Sequence, residues 1–257
     1  MAANEAKAAD GKRQWAVVAQ GIVLGVAVVI GLGLLGQALV EAVRIRQKEQ
    51  RITVTGSATR RIRSDFIVWE ATVRSQDPAL TAAYKKLAAD VPVLVDFVKT
   101  HGIKETDITV LSTSVREVHP RNEQGIERPE VVAAYITEQV VKVKSAEIPK
   151  VEQVSREATQ LIDRGLYIHS DAPLYIYTKL AELKIKMLAE ASADAKLRAE
   201  QIANNTGARL GGLLNARMGV LQVNPEFSTE VSWEGNNDKT TLDKDVLAIV
   251  TASFAVR

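Results

Sequence analysis

The sequence predicts an α/β (α+β) chain in two parts. A single N-terminal transmembrane helix over residues 15–43 precedes a domain of mixed sheets with βαβ-like units and one long Ala-rich helix. Three observations predict this. The run from Trp15 to Val40 has no charged residue, and about 20 apolar residues at roughly 1.5 Å each cross a hydrocarbon core. From Arg51 the hydrophobic period changes to two, the mark of strands. Helical spacing then returns in three separate stretches that end at Gly102, Gly165 and Gly207.

The organisation that follows is a cytoplasmic tail over 1–14, the transmembrane helix over 15–43, a juxtamembrane linker over 44–51 and an extracytoplasmic domain over 52–257. A cleavable signal peptide is the competing reading of the apolar run, with Gly36-Gln37-Ala38 as a cleavage site. Its apolar core is usually about 7–15 residues, shorter than this run. Gly21, Gly25, Gly33 and Gly36 fall on one arc of the helix, and Gly21 and Gly25 form a GxxxG pair. Bare glycine faces let helix backbones approach closely in lipid, so these four are the predicted helix-packing residues. Orientation is not fixed by charge. Lys7, Lys12 and Arg13 on one side nearly balance Arg44, Arg46, Lys48 and Arg51 on the other.

The elements of the domain follow in order. ITVTGSATRRI and DFIVWEATVRS alternate apolar and polar positions and read as two strands. Asp77-Pro78 is expected to cap a helix, with the stripe Leu80, Tyr84, Leu87, Val91, Leu94 and Val98 kinked at Pro92. A strand is expected over 107–118, an exposed connection over 119–130 and a long strand over 131–145. Val151, Val154, Ala158, Leu161 and Ile162 then predict a second helix, and PLYIYTKL another strand. Strand, helix, glycine and strand thus occur twice, a possible βαβ duplication. Leu183, Met187, Ala191, Ala195, Ala199 and Ile202 form the inner face of the long helix over 182–206. Two last strands, 213–223 and 246–256, enclose a loop over 224–245. Loops longer than about 12–15 residues are usually functional or disordered.

Composition excludes several chemistries. The 257 residues carry a net charge of only +2, which gives no electrostatic case for a nucleic-acid partner, and none is expected. Cysteine is absent, so disulfides, thiolate metal sites and cysteine nucleophiles are excluded. GLGLLG at 31–36 matches a dinucleotide fingerprint formally, but it lies inside the apolar span with no strand-to-helix turn to hold a pyrophosphate. His101, His119 and His169 lack metal-ligand spacing, and His101, just before Gly102, is expected to be a helix C-terminal cap or a surface residue. Glu190, Asp194, Lys196 and Arg198 read as a solvated helix face. No catalytic, cofactor-binding or metal-binding residues are predicted. Phe227 and Trp233, aromatics in the long loop, are the candidate interface residues; packing back onto their own domain is the equally weighted alternative.

Three stretches together resemble one family. They are ITVTGSATRRIRSDFIVWEATVRSQDPALTAAY, THGIKETDITVLSTSVREVHPR and AEASADAKLRAEQIANNTGARLGGLLNARMGV. The chain from Arg51 on resembles the SIMPL domain proteins, bacterial proteins mostly of the periplasm or surface. The most specific features are the TGSA stretch, taken as a turn, with the strand after Asp65, and the pattern G-x-x-L-G-x-L over 207–213. The family often has proline where this chain has Ser64. The resemblance implies an α/β domain without established enzymatic activity, a tendency to assemble and an association with envelope stress. The resulting expectation is a non-enzymatic, single-pass protein of the bacterial inner membrane with its domain in the periplasm. Its partners would be the lipid bilayer and further copies of itself. The alternative is an extracytoplasmic ligand- or protein-binding sensor acting through the 224–245 loop.

Overall fold

In a computed structural model the structure describes residues 32–40 and 51–257. Residues 32–40 are helical and exposed, and a Cβ on Gly33 or Gly36 would meet nothing. The rest of the predicted span, with Gly21 and Gly25, lies outside the described residues, as do the tail and most of the linker. Among the described residues no helix is long and apolar enough to cross a membrane.

The element order is β1 (Arg51–Arg63), β2 (Phe66–Asp77), α1 (Leu80–Thr100), β3 (Ile108–Val110), β4 (Ser114–Val118), β5 (Ala134–Ser145), α2 (Ile148–Glu157), β6 (Tyr167–Ser170), β7 (Leu174–Ile176), α3 (Leu180–Asn205), β8 (Leu210–Met218), β9 (Gln222–Pro225) and β10 (Asp243–Val256). Two sheets result. One has the order β3-β5-β2-β6, with β4 also on β5 and β7 also on β2; the other runs β1-β10-β8, with β9 also on β10.

The chain divides into two compact units. The larger comprises Thr55–Lys196 and Arg217–Thr251 and holds the whole six-stranded sheet. There β2 and β3 are both antiparallel to β5, and β5 and β6 are both antiparallel to β2. Each strand–helix–strand unit therefore has its two parallel strands separated by one strand of the other unit, the split βαβ arrangement. The duplicated layout expected from the sequence is present in this interleaved form, but β6 closes the second unit ahead of the strand expected over 173–180, of which only β7 forms. α1 and α2 bury Leu87, Leu94, Val98, Val151 and Val154 with Ile67, Trp69, Val73, Val141 and Val143 in one core. A second core in the same unit joins Ile62, Leu183, Met187, Ala191, Val223, Val246, Ala248 and Val250.

The smaller unit comprises Met1–Val54, Leu197–Ala216 and Ala252–Arg257. Val54, Ala199, Ala203, Ala252 and Phe254 are buried in it. Arg209 and Arg257 exchange backbone hydrogen bonds of 2.7 and 2.9 Å, and a Cβ on Gly211 would press on Ala255 at 3.0 Å.

Several expectations need correction. TGSA is no turn: Thr55 to Ala58 lies inside the 13-residue strand β1. α1 starts at Leu80 with Ala79 in the cap position, while Asp77 accepts the Ala79 N–H at 2.8 Å from outside the helix. Ala83, not Tyr84, occupies the buried stripe, while Pro92 sits inside one helix, as expected. The strand expected over 107–118 is broken into β3 and β4, which pair with different stretches of β5. α2 gives way to a 3₁₀ helix over Ala158–Arg164; the tighter winding turns Ile162 out to 54% exposure, and Gly165 ends it at φ 84°. Ile202 is likewise exposed, and Ala203 takes its inner position.

Candidate interface loop and cationic groove

Backbone proximity fixes the first wall of the site. A Cβ on Gly56 would lie 2.3 Å from both the Ala191 carbonyl oxygen and the Ala195 nitrogen, so only glycine lets α3 lie this close to β1. The carboxylates expected to face solvent tie the two elements together. Asp194 accepts the Ser57 N–H at 2.8 Å, and Glu190 pairs with Arg60. Glu190, Lys196 and Arg198 are exposed and Asp194 half-buried, so the expected solvated face is present, and it also carries ties to β1. Asp65, just past β1, accepts the Thr178 N–H and hydroxyl, each at 2.8 Å, which holds the chain entering α3.

β1, this entry segment and the first turns of α3 enclose a groove of about 430 Å³. Ile62, Tyr177 and Leu183 supply its apolar lining, and Arg60, Arg61, Arg63, Lys179 and Lys186 its cations. Arg61 is held by Asp245 at 2.9 Å and by Glu226 at 2.5 Å, and Arg63 reaches Asp243 only at 3.9 Å. The hydrogen bond to Asp245 leads the effects that raise the Arg61 guanidinium above its ordinary value. Lys179 and Lys186 have no ion pair among the described residues. Glu182 is the carboxylate that lines the groove.

The long loop meets β1 at Arg61, through Glu226 and Asp245, and buried amides hold it. Gln222, 2% exposed, donates to the carbonyls of Val220 and Ser232 at 3.0 and 2.7 Å. Its oxygen accepts the N–H groups of Ser232 and Asn236 at 3.1 and 3.0 Å. Asn224 donates to the Glu230 carbonyl at 2.6 Å and accepts from Asn236 at 2.8 Å. Between them Val223 bonds Asn236 and Asp238 through its backbone at 2.8 and 2.9 Å. Lys244, 1% exposed, closes the base on Asp238 at 2.9 Å. Burial pushes the Asp238 carboxyl up, but bonds from Thr241, Lys244 and Thr240 outweigh it and hold the group well below the usual carboxylate range. A cavity of about 120 Å³ beneath this base is lined by Tyr175, Tyr177, Asp238 and Lys244. Burial and the bond to Glu152 push the Tyr175 hydroxyl up to about 12.

This scaffold presents the two candidate interface residues. Trp233 is 90% exposed and Phe227 79%, with Val231 at 60% beside them. Trp233 therefore does not pack back onto its own domain. Phe227 does so in part: its ring lies 4.5 Å from the Arg61 guanidinium carbon, and its N–H donates to Asp245 at 3.0 Å. Its φ of 66° is unusual for a bulky residue, and these bonds hold it there.

The histidines are dispersed. His101 caps α1 as expected, bonding the Phe97 carbonyl at 2.8 Å and Glu157 at 3.0 Å. The bonds from Gln153 and then His101 lower the Glu157 carboxyl. His119 bonds the Val131 carbonyl, and His169 lies 3.3 Å from Asp171. Among the described residues no three potential ligands gather to hold a metal.

Gln222, Asn224, Asp238 and Lys244 were not singled out from the sequence. A signal existed, since Lys244 alternates with Val246, Ala248 and Val250 on the inward side of β10. A family model described as SIMPL, protein of unknown function (DUF541), matches residues 52–248. A search of curated proteins finds no match.

Proposed function

Because the chain belongs to the SIMPL family, we propose that it is a non-enzymatic, membrane-anchored protein whose periplasmic domain assembles into a homo-oligomeric envelope structure. The observation that carries this reading is the edge strand β8. It ends the order β1-β10-β8, and Leu213 and Leu214, neighbours that point to opposite faces, are 58% and 56% exposed. Sheet edges are ordinarily blunted by charge, proline or a covering element, and the sequence LGGLLNARM carries only Arg217. Such an edge is suited to pairing with another copy. The charge-free run Trp15 to Val40 supports the anchor, and confinement to a membrane multiplies weak contacts between copies. The link to envelope or oxidative stress rests on the family resemblance alone.

Leu214→Lys in the full chain tests this reading. The expected result is a drop in the subunit number of the detergent-solubilised protein with the domain still folded; an unchanged assembly would refute the role of the edge. A reporter fused after Arg257 tests the sidedness, with periplasmic activity expected.

One observation favours a second reading, a sensor that captures a small ligand or a protein through the 224–245 loop. The cavity under the loop base is lined by a buried ammonium and two tyrosines. A wild-type mass of one or two subunits would favour it.

A further inference from the structure

We propose that the loop carrying Phe227 and Trp233 docks into the cationic groove of a second copy of this chain. The proposal rests on the self-assembly reading above and names one contact within it.

The two surfaces match in chemistry and in size. The loop presents an indole, 90% exposed, between Glu230 and Glu234, whose carboxylates have no ion pair among the described residues. The groove offers the reverse: Lys179 and Lys186 have no counter-ion among the described residues, Arg63 is only loosely held, and Glu182 offsets part of that charge. Beneath these cations the buried Ile62 and Leu183 and the half-buried Tyr177 form a small apolar floor. A void of about 150 Å³ takes a benzene ring, so a groove of about 430 Å³ has room for an indole. Cations around an aromatic face attract it, most strongly for tryptophan. This protein already makes such a contact at the border of the groove, where Arg61 covers Phe227.

Pre-organisation favours the same contact. An exposed tryptophan on a mobile loop loses much of its binding energy to ordering. Here Gln222 binds both the N–H and the carbonyl of Ser232, and Asn224 binds the carbonyl of Glu230, so the backbone beside Trp233 is ordered before any partner arrives. An acidic rim disfavours an anionic bilayer as the occupant and favours a basic protein surface. The two patches differ, so copies either exchange loops across a two-fold axis or stack head to tail.

The test is a charge exchange in the full-length, detergent-solubilised protein, read as the concentration at which the assembly dissociates. Glu230→Lys with Glu234→Lys, and separately Lys179→Glu with Lys186→Glu, should each raise that concentration at least ~10-fold. All four changes in one chain should bring it back to within ~3-fold of wild type. Trp233→Ala should weaken assembly as much as either pair. A wild-type oligomer unaffected by these changes, or one not restored by the four together, would overturn this contact and leave the self-assembly reading standing. A wild-type monomer would overturn both.

Discussion

Two regions of the larger unit reach order by opposite means. Where β1 meets α3, fit depends on side chains that are not there: Gly56, Ala191 and Ala195 let backbones approach to a distance no Cβ would allow. In the loop between β9 and β10, order depends on side chains that replace backbone partners, since Gln222 and Asn224 satisfy five loop groups between them beyond their own strand. The seam is a close backbone contact that tolerates no added atom. The loop is a polar contact that tolerates no missing one. The difference teaches that a long loop with few apolar contacts is not thereby a loose one, and that its exposed aromatics are displayed rather than stray.

The strongest way to break the loop side of this comparison is Asp238→Ala. Lys244 would then be a buried ammonium without a counter-ion, a change that typically costs about 3–5 kcal/mol, measurable by denaturant unfolding. The same pair sets an acid dependence. The Asp238 carboxyl is depressed in the folded state, so its stabilisation is complete above its ordinary value of 3.8 and is lost as pH falls below that toward the folded value. Asp238→Asn should flatten this part of the stability–pH profile.

On the seam side, Gly56→Ala should cost about 1–3 kcal/mol and lie toward the upper end, because the obstructing atoms are helix backbone. Ser57→Ala is the matching control. Ser57 meets Asp194 through its backbone N–H, which alanine keeps, so the melting temperature should stay close to wild type. Gln222→Leu leaves the Ser232 and Asn236 groups without their partner and should cost about 1–3 kcal/mol. Amide exchange should quicken at those two residues while β2 and β5 stay protected. On the loop side Phe227→Gly should change stability less than Asp238→Ala or Gln222→Leu. It relieves a left-handed conformation worth roughly 1–2 kcal/mol and gives up the stacking on Arg61. A large loss there would show that Phe227 is part of the core support, not of the display.

The legibility of the sequence follows the same division. Leu183, Met187, Ala191, Ala195 and Ala199 repeat at helical spacing, so the inner face of α3 was readable from local periodicity alone. So was the repeated strand–helix–strand layout, although not that each pair of strands would be split by another, which depends on long-range pairing. TGSA stood out as a motif but was misread as a turn, because a glycine within a strand signals close approach as well as a bend. The loop was visible only as an unusual length with two aromatics. Its supports bond residues 6–14 positions away, and no local pattern specifies which carbonyl a buried amide will meet. Tyr167–Ser170 was missed because four residues give too little alternation to read. A deletion of 224–245 is a poor probe of assembly, since it removes Asn224 and the Asp238–Lys244 pair along with the display.

The most direct test of the central claim is the mass of the full-length protein in mild detergent, corrected for bound detergent and followed over a dilution series. Self-assembly predicts a mass of several 28.0 kDa chains that dissociates only at high dilution, and at less dilution for Leu214→Lys. A single chain at every concentration would contradict it.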